Sequence, residues 1–211
     1  MFNDRRDAGR QLLDALRSLD LPRPVVLALP RGGVPVAAEI AGGLGGPLDL
    51  VIVRKIGLPQ QPELAMGAVV DAPTPIVLRN DGVIAATGIT DEQFHSVELE
   101  EIAELARRRE RYLAWRRHVP LEGRTAIVVD DGIATGMSMR AALKALRARH
   151  PGRLVLAVPV APPEVLAELS GKVDDTVCLE RPEALGAVGA YYRDFGQTTD
   201  AEVTALLAAS P

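Results

Sequence analysis

Apolar positions recur along this chain at two different spacings, and their alternation predicts most of its elements. Over residues 6–19, Leu12, Leu13, Leu16 and Leu19 fall at helical spacing, and Pro22 and Pro24 stop that helix. Residues 25–29 form a short apolar run, followed by Pro30-Arg31-Gly32-Gly33 and a helix-compatible stretch over 34–41, which reads as strand, turn, helix. Residues 48–53, 126–129 and 154–158 repeat the buried-strand pattern, and 176–179 is a shorter candidate. Near-continuous apolar runs of this kind, alternating with helices, signal a parallel sheet covered on both faces. Residues 42–47 read as a helix-ending turn rather than a phosphate loop.

Between residues 57 and 80 the prolines at 59, 62, 73 and 75 interrupt any helix, and only 67–70 and 76–78 have strand character. That segment is expected to be an extended hairpin or a mobile loop. Over residues 90–118 the pattern turns helical, with Glu98, Glu100, Glu101 and Glu104 early and Arg107, Arg108, Arg109, Arg111, Arg116 and Arg117 late. This order suits the helix dipole and predicts a Glu104–Arg108 pair. The arginine run could be an anion or nucleic-acid patch, but a solvated helix end is the simpler reading. Thr199 and Glu202 have the spacing of a capping box, which predicts a terminal helix over 199–209.

Composition narrows the classes. The 211 residues are 47% hydrophobic and 25% charged, the balance of a globular protein with a sizeable core and not of a disordered one. One domain of ordinary size is expected. The net charge of −4 argues against a dedicated nucleic-acid binder. Cys178 stands alone, and His95, His118 and His150 are scattered, so neither a disulfide nor a zinc cluster is expected. No apolar stretch is long enough to span a bilayer, and the start MFNDRRDAGR has no apolar leader, so no membrane partner and a cytoplasmic compartment are expected.

The densest chemical signal is the stretch from Ala126 through Asp130-Asp131-Gly132-Ile133-Ala134-Thr135-Gly136-Met137-Ser138, thirteen residues in all. A buried strand there delivers two adjacent carboxylates to its carboxyl end, where open parallel sheets bind ligands. The small and hydroxylic residues that follow lead into a helix, whose unpaired amides and positive dipole end attract a phosphate. Thr135 and Ser138 add hydroxyl donors, Gly136 permits close backbone approach, and the carboxylates suit sugar hydroxyls, directly or through magnesium. Anion cradle and acid pair together describe a sugar-phosphate site. Neither a Walker-type loop, a dinucleotide fingerprint nor a nucleophile elbow is complete anywhere in the chain.

The segment IVVDDGIATGMS resembles the phosphoribosyl-pyrophosphate (PRPP) signature of type I phosphoribosyltransferases. LALPRGG resembles that family's pyrophosphate loop, and VIVRKIG resembles the Arg-Lys step opening the hood loop of adenine-type members. With the FNDRRDAG start and VGAYYRDFG near the end, the chain looks closest to a branch of predicted phosphoribosyltransferases. The resemblance implies an α/β fold with a parallel, Rossmann-like sheet, flanking helices and a small hood from the segment after Lys55 and the C-terminal segment. It implies one domain over 1–211, with its core at about 25–180, a helical insertion at about 90–118, and the C-terminal hood and helix at about 186–209.

The resemblance also implies a magnesium-dependent transfer of ribose 5-phosphate from PRPP to a small nitrogenous acceptor, with Mg2+ as cofactor. Asp130, Asp131 and Lys55 would be catalytic, and Ala134, Thr135, Gly136, Met137 and Ser138 would wrap the 5′-phosphate. Arg31, Gly32, Gly33 and Arg54 would grip pyrophosphate, and Asp130, Asp131 and Asp194 would meet the metal. Homodimers are common in the resembling family. Enzymes for 6-oxopurines carry an acid where this chain has Ala134, and a lysine after the strand at 154–158 that is missing here, so a 6-oxopurine acceptor is not expected. Tyr191, Tyr192 and Phe195 are the candidate acceptor contacts, although packing against the terminal helix is the default for at least two of them. The alternative reading is a PRPP-binding regulatory protein without turnover. A third is cleavage or phosphorolysis of a phosphoribosyl compound.

Overall fold

The computed structural model describes residues 1–113 and 116–210, so two positions of the predicted 90–118 helix lie outside the described residues. The chain divides into two compact units. One comprises Met1–Val51, Val119–Gly136 and Leu146–Pro211, and the other Ile52–His118 and Met137–Ala145.

The first unit is built on a five-stranded, wholly parallel sheet. Its strands are β1 (Pro24–Ala28), β2 (Leu48–Leu50), β6 (Thr125–Val129), β7 (Arg153–Val160) and β8 (Asp175–Glu180), in the order β2-β1-β6-β7-β8. β6 is buried along its whole length, and Ile127, Val128 and Val129 are fully enclosed. Each such side chain contributes roughly 1.5–3 kcal/mol by leaving water, which is why these strands read as unbroken apolar runs. Helix α1 (Arg5–Leu16) begins at the Asp4 cap and buries Leu12, Leu13 and Leu16. It crosses α2 (Gly33–Leu44) so closely that a Cβ on Gly9 would lie 2.6 Å from the Val36 carbonyl oxygen. As expected, α2 ends in a turn, with Gly45 in the left-handed region at φ 67°. The predicted capping box is present at Thr199 and Glu202 and starts α7 (Asp200–Ala209).

The second unit contains a three-stranded antiparallel sheet: β3 (Val53–Leu58), β4 (Gln61–Val70) and β5 (Ile76–Arg79), in that order. The hairpin expectation for residues 57–80 holds, but its strands run further than the prolines suggested. Pro62 lies in β4 next to a register irregularity at Gly57, a place where a missing N–H costs the ladder little. Helices α3 (Asp81–Thr87) and α4 (Asp91–Leu113) follow, and Phe94 of α4 packs with Ile56, Leu58 and Met66 into this unit's core. The predicted Glu104–Arg108 pair forms at 3.1 Å.

Three expectations need correction. The run at 48–53 is not one strand: β2 stops at Leu50, Val51 and Ile52 stay buried outside it, and Val53 opens β3. Burial keeps the run apolar, and an apolar run does not tell which sheet a residue joins. The helices α3 and α6 (Pro163–Ser170) were not anticipated, the latter because Pro162-Pro163 looks like a breaker although proline suits a first helical turn. The entry helix stops at Leu16, not Leu19.

Candidate active site

Two chain reversals at the carboxyl ends of β1 and β6 meet within the first unit. After β1 the turn Pro30-Arg31-Gly32-Gly33, whose Pro30–Arg31 bond is cis, leads into α2. After β6 come Asp130 and Asp131. The two turns touch: a Cβ on Gly32 would fall 2.1 Å from Asp131 Oδ2, and one on Gly33 would fall 2.8 Å from the Val129 carbonyl oxygen. Glycine is required at both positions by this approach. Arg31 is exposed and leans toward Asp200 of α7, 3.6 Å away.

The acid pair is asymmetric. Asp130 Oδ1 accepts a hydrogen bond from the Asp131 amide at 2.9 Å. Burial, reinforced by the neighbouring Asp131 charge, pushes the Asp130 carboxyl well above the usual carboxylate range. Burial also raises Asp131, but the Arg5 guanidinium opposes that shift, with Arg5 Nε 2.7 Å from Asp131 Oδ2. The Tyr192 hydroxyl donates to the Asp131 carbonyl oxygen at 2.5 Å, and its own ionisation is pushed far up by burial.

The loop that follows answers whether its amides are already spent. Ile133 donates to the Val160 carbonyl at 2.9 Å. Among the described residues, the amides of Ala134, Thr135, Gly136, Met137 and Ser138 donate to no protein acceptor. Ala134 and Thr135 are exposed, so this stretch opens to solvent and not into the interior. Gly136 is left-handed at φ 72°, and a Cβ there would press to 2.8 Å from Val165 Cγ1. Ala134, Thr135 and Gly136 belong to the first unit, while Met137 and Ser138 open α5 (Met137–Arg147) in the part counted with the second.

In the second unit, Arg54 and Lys55 do not follow a parallel strand as expected; they lie inside β3. The alternation of an antiparallel strand with one wet face puts Lys55 on the exposed side, whereas Arg54 pairs with Glu101 at 2.7 Å. Among the described residues Lys55 has no carboxylate partner. Both line a cleft of about 520 Å3 with Glu63, Glu100, Glu101 and Ser138. The arginines of α4 are largely spoken for, since Arg107 and Arg108 pair with Glu104 and Arg109 with Asp71.

A resident metal cage does not fit these residues. Asp194 is exposed, with Oδ1 accepting from the Gly196 amide at 3.0 Å, and among the described residues no three His, Cys, Asp or Glu side chains are grouped to hold a metal. The trio Asp130, Asp131 and Asp194 is therefore not assembled. Magnesium, which often keeps its waters and binds one carboxylate plus substrate phosphates, still suits Asp130. The aromatic trio forms a cluster with the start of the chain. Tyr192 is buried between Phe2 and Phe195, at centroid distances of 5.3 and 4.9 Å, and Tyr191 lies beside the same cluster. Sequence reasoning missed Arg5; the FNDRRDAG start was the signal, but a charged first helical turn looks like ordinary surface.

Comparison with known proteins shows the family. Residues 5–194 match the family described as "Phosphoribosyl transferase domain". The chain is 47% identical over 207 residues to "Putative phosphoribosyl transferase Rv0571c" of Mycobacterium tuberculosis, a match covering 98% of this chain and 46% of that protein. The chain thus spans about half the length of the curated relatives it matches. The crystal structure of TT1426 from Thermus thermophilus is similar at 44% identity and TM-score 0.85, covering 98% of this chain and 97% of that one. The AQ2163 protein from Aquifex aeolicus shares the fold at 13% identity and TM-score 0.50, over 98% and 86% of the two chains. Among the described residues no helix is long and apolar enough to cross a membrane.

Proposed function

Because this chain belongs to the phosphoribosyl transferase domain family, we propose that it moves ribose 5-phosphate from PRPP to a small nitrogenous acceptor and releases pyrophosphate. The observation that carries this reading is the row of unspent amides from Ala134 to Ser138 directly after an acid pair at a parallel sheet's carboxyl end. In the transfer, the bond from the anomeric carbon to pyrophosphate oxygen breaks with its electron pair going to pyrophosphate. The acceptor nitrogen's lone pair forms the new bond, and its proton passes to solvent or a nearby base.

Each residue then has a task that its surroundings support. The amides and hydroxyls of Ala134, Thr135, Gly136, Met137 and Ser138 hold the 5′-phosphate. Arg31, Gly32 and Gly33 receive pyrophosphate at the turn before α2, and Asp130 faces the ribose hydroxyls. Lys55 and Arg54 supply positive charge for the departing pyrophosphate, Lys55 more readily because it has no carboxylate partner to leave among the described residues. PRPP is expected as its magnesium complex, in which the cation neutralises phosphate charge, with Asp130 as the carboxylate left for it. A 6-oxopurine acceptor is disfavoured by Ala134 and by the lack of a lysine after β7. The paired state of the α4 arginines favours the enzyme over a nucleic-acid-regulating protein.

Calorimetry with PRPP and magnesium tests the site. Asp130→Asn combined with Asp131→Asn is expected to abolish binding while circular dichroism stays native. Undiminished affinity in that variant overturns the assignment. Incubation with PRPP, magnesium and a pool of cell metabolites should then show one compound gaining a ribosyl-phosphate mass.

A further inference from the structure

The FNDRRDAG start has no part in the roles assigned above, yet one of its residues, Arg5, reaches the acid pair. Phe2 donates to the Tyr191 carbonyl at 2.8 Å, Arg193 donates to the Phe2 carbonyl at 2.9 Å, and Asp194 donates to the Asn3 carbonyl at 2.9 Å. Asp4 then caps α1, accepting from the Asp7 amide at 2.7 Å. The start is thereby clamped to the segment before α7, and the first residue of α1, Arg5, is carried onto Asp131.

Three contacts fix that guanidinium. Arg5 Nε donates to Asp131 Oδ2 at 2.7 Å, Nη1 donates to the Gly196 carbonyl at 2.6 Å, and the Phe195 ring lies 3.8 Å beneath its central carbon. Both side chains of the ion pair are mostly covered, at 12% and 15% exposure. Asp131 is also held through its backbone, where the Tyr192 hydroxyl donates to its carbonyl, and Gly32 leaves room for its carboxylate, since a Cβ there would fall 2.1 Å from Oδ2. Asp130, one residue earlier, accepts only from a backbone amide and pairs with no cation among the described residues.

We infer that Arg5 is a positioning residue that engages Asp131 as a fixed counter-ion, so that the acid pair divides its labour: Asp131 ties the N- and C-terminal segments to the β6 turn, and Asp130 meets the ligand. The inference rests on the PRPP reading for the ligand's identity. Its physical basis is charge. An uncompensated, half-buried carboxylate beside a second one would repel a polyanion such as PRPP, and would also be free to turn into the space the pyrophosphate needs. With Arg5 in place the local charge is reduced and the rotamer is set before ligand arrives, which is the general route by which preorganisation improves affinity.

The test is a double-mutant cycle read by calorimetry with magnesium and PRPP, and by thermal melting without ligand. Arg5→Gln is expected to weaken PRPP binding about tenfold or more, and Arg5→Lys, which keeps the charge but not the fork, to recover part of the loss. In an Asp131→Asn background the same Arg5→Gln change should cost less than about twofold, because Arg5 acts through that carboxylate. Arg6→Gln, which removes a neighbouring exposed pair with Glu39, should stay within about twofold of wild type. Wild-type affinity in Arg5→Gln, or an equal loss with and without the Asp131 carboxylate, overturns the inference. Should Arg5→Gln fail to fold, Arg5→Lys carries the test, and full wild-type affinity there with no melting coupling to Asp131 overturns it too. A wild-type protein that binds no PRPP while the melts still show Arg5–Asp131 coupling defeats the proposed function and leaves the ion-pair assignment standing.

Discussion

The two sheets of this protein give the same kind of residue different meanings. In the first unit the central strand β6 is enclosed along its whole length, so it tolerates no charge until it ends, and Asp130 and Asp131 stand out at that end. In the second unit β3 has one face toward solvent, and Arg54 and Lys55 sit mid-strand, where charges are routine. Asp131 is held at both ends, its carboxylate by Arg5 and its carbonyl by Tyr192. Lys55 is held by nothing comparable. A charge is informative in proportion to how expensive its position is, and a fixed one speaks of preorganisation where a loose one speaks of a group that finds its task on ligand binding.

The largest effect should come from crowding the fixed side. Gly32→Ala places a methyl 2.1 Å from a carboxylate oxygen that is paired with Arg5 at 2.7 Å. We expect a stability loss of about 1–3 kcal/mol from overpacking, together with a roughly hundredfold loss of PRPP affinity, about 2.7 kcal/mol. Unchanged calorimetry would show the acid turn to be as pliable as the hairpin. Lys55→Ala tests the loose side: turnover should fall roughly tenfold, about 1.4 kcal/mol, with PRPP affinity within about twofold, as for a group that acts mainly in the transition state. Parallel losses in kcat and affinity would make Lys55 a plain binding contact.

A smaller effect concerns the cost of enclosing the acids. The folded protein holds a proton on Asp130 more tightly than an unfolded chain does, so this group's contribution to stability declines as pH rises from the ordinary carboxylate range through the raised folded value. Asp130→Asn should therefore melt about 2–4 °C higher near neutral pH, with the gain shrinking as pH falls and vanishing well below pH ~4, where the aspartate is protonated in both states. A variant that melts lower at neutral pH would mean that the carboxylate is well compensated. The smallest effect concerns a residue with no assigned ligand role: Thr199→Ala removes the capping box of α7 and should cost about 1 kcal/mol, seen as a modest drop in melting temperature with PRPP binding little changed.

Much of this was legible in the amino-acid order. The run at 126–129 with its two acids, the PRGG turn and the Thr199–Glu202 cap each depend on neighbours within a few residues, and each is found where expected. The segment after Leu50 was misread because an apolar residue carries the same signature in either sheet. The contact of the aromatic trio with Phe2 was not legible, because packing partners 190 positions apart, such as Phe2 and Tyr192, leave no periodic trace.

Local order was thus sufficient for the central parallel strands, the PRGG turn and the acid pair, since hydrophobic period, glycine and helix-capping chemistry act over one or two turns of chain. Which carboxylate of the pair is already neutralised was settled by folding, when Arg5 came to lie on a residue 126 positions away. An ion pair of that span leaves no pattern in either segment, because its energy depends on distance in space and not on spacing along the backbone.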